Sequence, residues 1–152
     1  MGFLDNFFKT KVTNPVLISA MEAYASNASE ENTVDLWQKL MKSKVLLATT
    51  EEGRSNFGKI KQIRDAISLP FTTQNSDKGE IQFAVFTDNE ALEKFSDSTA
   101  CVALNGDQVL ILAAGKGINA LLLNPGSSSH LELRCWQHTV FVDKASDTGK
   151  LH

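Results

Sequence analysis

Cysteine is scarce in this 152-residue chain, with Cys101 and Cys135 the whole supply. Two thiols make no disulfide framework, so the fold must rest on buried apolar surface, and a reducing cytoplasm fits. Cys101 lies in the apolar run ACVAL and reads as a small, inert hydrophobe. Basic charge is also in short supply. Fifteen Lys and Arg face 18 Asp and Glu, for a net charge of −3, which excludes the basic surface of a nucleic-acid partner. Long hydrophobic runs are missing too. VLILAAG and INALLL are too short to span a bilayer and are parted by Gly115-Lys116-Gly117, so no integral membrane segment is expected. A secretory leader is excluded because Asp5 and Asn6 break the apolar start. Asn6 also stands where myristoylation requires Ser or Thr. No repeat or low-complexity segment occurs.

What is present suits one soluble globular domain: 42% hydrophobic and 22% charged residues, in a chain long enough to bury a sizeable core. Phe3, Leu4, Phe7 and Phe8 fall on one helical face of residues 1–13. The expectation is that this amphipathic segment docks onto the chain itself or onto a second copy, with peripheral membrane contact as its other fate. Asn14-Pro15 reads as a helix cap with proline at the first helical position. Val16, Leu17, Ala20, Met21 and Tyr24 then supply one helical face. A second helix follows Ser29, with Val34, Trp37, Leu40 and Met41 three or four apart and Trp37 a core anchor.

From Lys44 the period changes. KVLLATT reads as a strand, and EEGRSNFG as exposed loop, with Ile60, Ile63 and Ile67 able to line a short helix. SLPFTTQ and EIQFAVFT are strands of a hairpin joined by NSDKG. Helix DNEALEKF, strand TACVALN, helix DQVLILAA and strand NALLLN follow, an alternation that favours parallel neighbours. LELRCWQHTVFVD alternates like an edge strand, with a helix starting near Cys135 as the alternative, and residues 144–152 read as a flexible tail.

Each constellation that could carry chemistry has a structural explanation. Thr87 and Glu90 have capping-box spacing, with Asp88 placed where a helix dipole favours negative charge. Asn105 and Gln108 repeat that pattern. Gly115-Lys116-Gly117 lacks the remaining residues of a phosphate loop and reads as a helix end. His130, Glu132, Cys135 and His138 lack metal-ligand spacing, and Ser127 to Ser129 lack a nucleophile elbow. No catalytic residue, metal or cofactor is assigned. Asn124-Pro125-Gly126 meets the demands of a type II turn, with Asn124 bonding the turn's own backbone.

VFTDNEALEKF, followed by INALLLNPGSSSHLEL, resembles the N-terminal domain of the SseB family, named for enhanced serine sensitivity. The family's elements fall on Phe86-Thr87, Glu90-Ala91-Leu92, Asp107 to Ala114, and Leu123-Asn124-Pro125-Gly126, and the resemblance covers roughly residues 14–134. Many members carry a second, C-terminal domain for which this chain has no room, and residues 51–68 carry no family signature. The resemblance implies a cytoplasmic α+β domain with no established catalytic residues and a suspected role in protein association.

The expected fold is thus α+β: a mixed sheet of about five or six strands with helices packed against it, two of them N-terminal, within one domain spanning 14–143. The expected function is non-catalytic protein interaction or regulation, through an unidentified protein partner or self-association. The alternative is a small-ligand or anion-binding domain, even an enzyme, whose site joins Thr87, Asp88 and Asn89 to Asn124, Gly126, Ser127 and Ser128.

Overall fold

The computed structural model describes residues 11–96, 99–128 and 130–135. Residues 1–10 and 136–152 lie outside the described residues, and with them the expectations for Phe3 to Phe8, for His138 and for the tail. The rest is α+β, with a mixed six-stranded sheet and two N-terminal helices, as expected.

Helix α1 (Pro15–Ser26) buries Leu17, Ala20 and Met21, while Val16, assigned to the same face, is exposed. Helix α2 (Glu30–Lys42) begins at Ser29, whose hydroxyl accepts from Asn32 N at 3.1 Å, with Glu30 and Glu31 in its first turn. It buries Leu36, Trp37 and Leu40. Strand β1 (Lys44–Thr49) follows, continuously buried beyond its first residue. Residues 51–57 correct the expected loop: Glu51–Phe57 form helix α3. Gly53 and Ser55 weaken its intrinsic propensity, but Thr50 caps it by accepting from Gly53 N at 3.0 Å, and two glutamates complement the dipole. Ile63–Ser68 is a 3₁₀ helix, with Ile60, Ile63 and Ile67 packed against the core.

The hairpin is present, with β2 shortened to Thr73–Asn75 and β3 spanning Ile81–Phe86. Gly79, at φ 80°, supplies the turn conformation. Helix α4 (Asn89–Phe95), β4 (Ala100–Asn105), α5 (Gly106–Lys116), β5 (Ala120–Leu123) and edge strand β6 (Leu131–Arg134) complete the order. Gly117 ends α5 in the left-handed conformation, and Gln108 Oε1 accepts from Asn105 N at 2.9 Å at its start.

The sheet runs β4-β1-β3-β5-β6, and β2 takes the edge of β3 where β1 leaves it. The expected parallel neighbours are reduced to one pair, β3 with β5. β4 runs in the direction of β3, but β1 is inserted between them, antiparallel to both. Alternating strands and helices fix strand direction; they do not reveal an earlier strand slotted into the gap.

The two faces differ. α1, α2, α5 and the 3₁₀ helix join the main core, which includes Val45, Leu47, Phe83, Val85, Leu121 and Leu123. The second face carries Leu46, Ala48, Ala84 and Phe86, packed with Val12 and with Ala91 and Leu92 of α4. Phe83 and Phe86 therefore serve opposite faces, as strand alternation requires.

Candidate functional site

The adjacent parallel strands β3 and β5 end side by side, which brings Thr87 to Asn124. Thr87 N donates to Asn124 Oδ1 at 2.9 Å, and Asn124 Nδ2 donates to Thr87 Oγ1 at 3.0 Å. Thr87 is 0% and Asn124 1% exposed. Burial at this level requires partners for both side chains, and each supplies the other's. The Thr87 hydroxyl donates onward to Asp88 Oδ2 at 3.0 Å, and Asp88 Oδ1 accepts from Ala91 N at 2.8 Å.

Two readings need correction here. The cap of α4 is Asp88, one residue beyond the Thr87 of the expected capping box. Asn124 reaches across to Thr87, where its side chain was expected to bond its own turn. The turn itself has the expected form: Ser127 N donates to Asn124 O at 3.2 Å, Gly126 stands at φ 85°, and Pro125 is buried. Asn124 is itself at φ 50°, a conformation its residue type tolerates.

The other expected site residues are more dispersed in role. Asn89 Oδ1 accepts from Val12 N at 2.7 Å. Ser127 Oγ donates to Asn124 O at 2.9 Å. Gly126 and Ser128 are exposed on the turn. Asn14 is the N-cap of α1, as expected, but sequence reasoning missed the partners of its side chain. Its side chain makes no cap bond; Nδ2 donates to Lys44 O and Thr87 O, 2.7 Å each. The order Asn-Pro was a sound signal for a helix start, and it concealed the stitch.

Residues 17–137, which include this junction, match the family model of the SseB protein N-terminal domain. The chain belongs to the SseB family. No curated protein and no solved structure matches it. In this SseB domain the family segments Phe86-Thr87 and Asn124-Pro125-Gly126 thus meet as one hydrogen-bonded junction.

Elsewhere in the SseB domain, burial pushes the Cys135 thiol up to about 11 and raises that of Cys101. Both therefore hold their protons at neutral pH, the unreactive form. Cys101 is half-buried. Among the described residues no group of three His, Cys, Asp or Glu side chains converges as a metal site would require. Glu132 accepts from Gln82, and Arg134 pairs with Glu80, which lowers the Glu80 carboxyl below its ordinary range. A surface depression along α2, lined by Glu30, Glu31, Asp35 and Gln38 among others, lies on α2 away from the β3–β5 junction. No helix among the described residues is long and apolar enough to cross a membrane.

Proposed function

We propose that this SseB domain is a non-catalytic cytoplasmic association module that binds polypeptide. The observation that carries the reading is the second face of the sheet. Around buried Leu46, Ala48, Ala84 and Phe86 its strands leave Cys101 half-buried and Ala103 exposed, with Lys44, Gln82 and Glu132 on the same face. Among the described residues, Val12 and α4 supply the apolar side chains that pack there, and Arg54 of α3 lies by Cys101. Seven helical residues extend about 10 Å, while five strands side by side extend about 20 Å. A polypeptide segment suits such a surface: Ala103 and Cys101 offer apolar contact, and the polar Gln82 and Glu132 of the same face bond to each other. The polar groups at the β3–β5 junction support the same reading, because Thr87, Asp88 and Asn124 bond to one another and to backbone.

The test is affinity capture from native cytoplasm with the full chain as bait, run beside a thermal-shift screen of metabolites and inorganic anions. A protein captured by the wild-type domain and lost with Ala103→Asp supports association. A saturable shift with a metabolite or anion, abolished by Ser127→Ala or Asn89→Ala, would replace it with the ligand-binding reading.

A further inference from the structure

β4 closes one side of the sheet, and among the described residues no strand lies beyond it. Which of its backbone groups face outward follows from the ladder with β1. Gly106 N donates to Ser43 O at 2.9 Å, one step past the pair Lys44 and Asn105. Antiparallel pairs alternate between bonded and non-bonded. Ala100, Val102 and Leu104 therefore bond β1, while Cys101, Ala103 and Asn105 turn their N–H and C=O groups away from it. Two bonds agree. Ala48, opposite Cys101, accepts at its carbonyl from Thr72 N on the side away from β4, and the outward Asn105 N–H is held by Gln108 Oε1. The N–H groups left open are those of Cys101 and Ala103. Their side chains are half-buried and exposed, whereas Ala100, Val102 and Leu104 are buried.

Such edges are normally guarded by shortness, charge or proline. β2 is three residues long, and β6 carries Glu132 and Arg134 among its four. β4 has six residues, ACVALN, with no charge and no proline. Arg54 of α3, which lies by Cys101, is paired with Glu51. An unguarded row of backbone groups is completed by another strand. Self-complementarity selects a second copy. Antiparallel pairing about a two-fold axis at Val102 sets Cys101 opposite Ala103 of the second copy, and Ala103 opposite its Cys101. Both pairs are then of the bonded type, so each open N–H meets a carbonyl. An axis at Ala103 would instead set Cys101 against Asn105, whose N–H Gln108 already holds. In the favoured register Val102 meets Val102 and Ala100 meets Leu104, so no like charges stand opposite each other.

We propose that two copies of this chain pair antiparallel along β4, centred on Val102, so that one sheet runs through both. The pairing uses the backbone of the edge and stands independently of the second face as a polypeptide-binding surface.

Sedimentation velocity over a wide concentration range should show a dimer of the full chain. Ala103→Pro removes an outward N–H at an edge position of the kind that admits proline. It should keep its circular dichroism and sediment as a monomer. Ala103→Cys in a Cys135→Ala background decides the matter if the proline variant does not fold. Bonded antiparallel residues stand about 5.5 Å apart at Cα, within the roughly 4.4–6.8 Å that a disulfide spans. Mild oxidation should therefore link Cys101 of one copy to the introduced thiol of the other, seen as a dimer on a non-reducing gel and mapped by peptide mass spectrometry. A wild-type chain that stays monomeric at every concentration overturns the proposal. So does a dimer that persists in folded Ala103→Pro, or one in which oxidation joins no pair of positions 101 and 103. Monomeric wild type that captures a foreign protein, with capture lost in Ala103→Pro, would overturn it too and give the edge to a foreign strand.

Discussion

Thr87 and Asn124, 37 residues apart in sequence, satisfy each other through two hydrogen bonds of 2.9 and 3.0 Å in a site closed to water. An unpaired donor or acceptor left in such a site costs about 1–3 kcal/mol. Asn124→Ala strands the Thr87 N–H, takes from the Thr87 hydroxyl one of its two partners, and places alanine at positive φ, so it should destabilise the domain by roughly 2–4 kcal/mol. Thr87→Val keeps the shape and the N–H bond and should cost about half as much. Urea denaturation of the two variants checks the order; Thr87→Val equal to or worse than Asn124→Ala would contradict it.

Gly126 tests conformation separately from space. An added Cβ would meet nothing nearer than Phe95 Cδ1 at 3.9 Å, yet the residue stands at φ 85°. Gly126→Ala should therefore cost about 1 kcal/mol through backbone strain alone. Gly126→Asn, a residue type that tolerates positive φ, should recover part of the loss in a thermal melt.

Gly106 presents the reverse case. It opens α5 beneath the end of α2, where a Cβ would stand 1.9 Å from Leu40 O and 2.6 Å from Leu40 C. These are backbone atoms of a packed helix and cannot swing aside. Gly106→Ala should destabilise by about 3 kcal/mol or more, well above the same change at Gly126. A shift in denaturation midpoint smaller than that of Gly126→Ala would show that α2 and α5 part easily.

Cys135 gives stability a pH dependence on the alkaline side. Burial holds its proton to about pH 11 in the folded chain, whereas an unfolded thiol loses it near pH 8.5. Between those values the folded state binds more protons, so stability falls as pH rises through the window. Urea midpoints measured from pH 8 to 10 should decline, and Cys135→Ala should flatten the slope. Alkylation at pH 7.5 should be slower in the folded chain than in urea, for the same reason.

The sequence made strand content, helix order and the hairpin legible because each rests on local periodicity and turn chemistry. Trp37 in a stripe and Gly117 after Lys116 could be assigned from neighbours alone. What escaped it depends on residues far along the chain. Nothing near Thr87 announces Asn124, and nothing near Asn14 announces the carbonyls of Lys44 and Thr87. α3 was missed because Gly53 and Ser55 argue for loop, while the Thr50 cap and the contact with Pro70 argue harder for helix. The residues expected to form a ligand site were grouped by strand-end topology. That reasoning brought Thr87 and Asn124 together correctly, and left unseen how fully they would engage each other.

The insertion of β1 between β3 and β4 has a consequence during synthesis. A ribosome that has released residues 1–105 has delivered β1, β3 and β4, so three strands can pair at once. One side of β3 must still wait for Leu121 to Leu123. Through that interval Phe83, Ala84 and Val85 border an open ladder with neither charge nor proline to discourage a stray strand. A nascent chain stalled within α5 should accordingly need a chaperone more than one stalled after Arg134, when β5 and β6 have sealed that side.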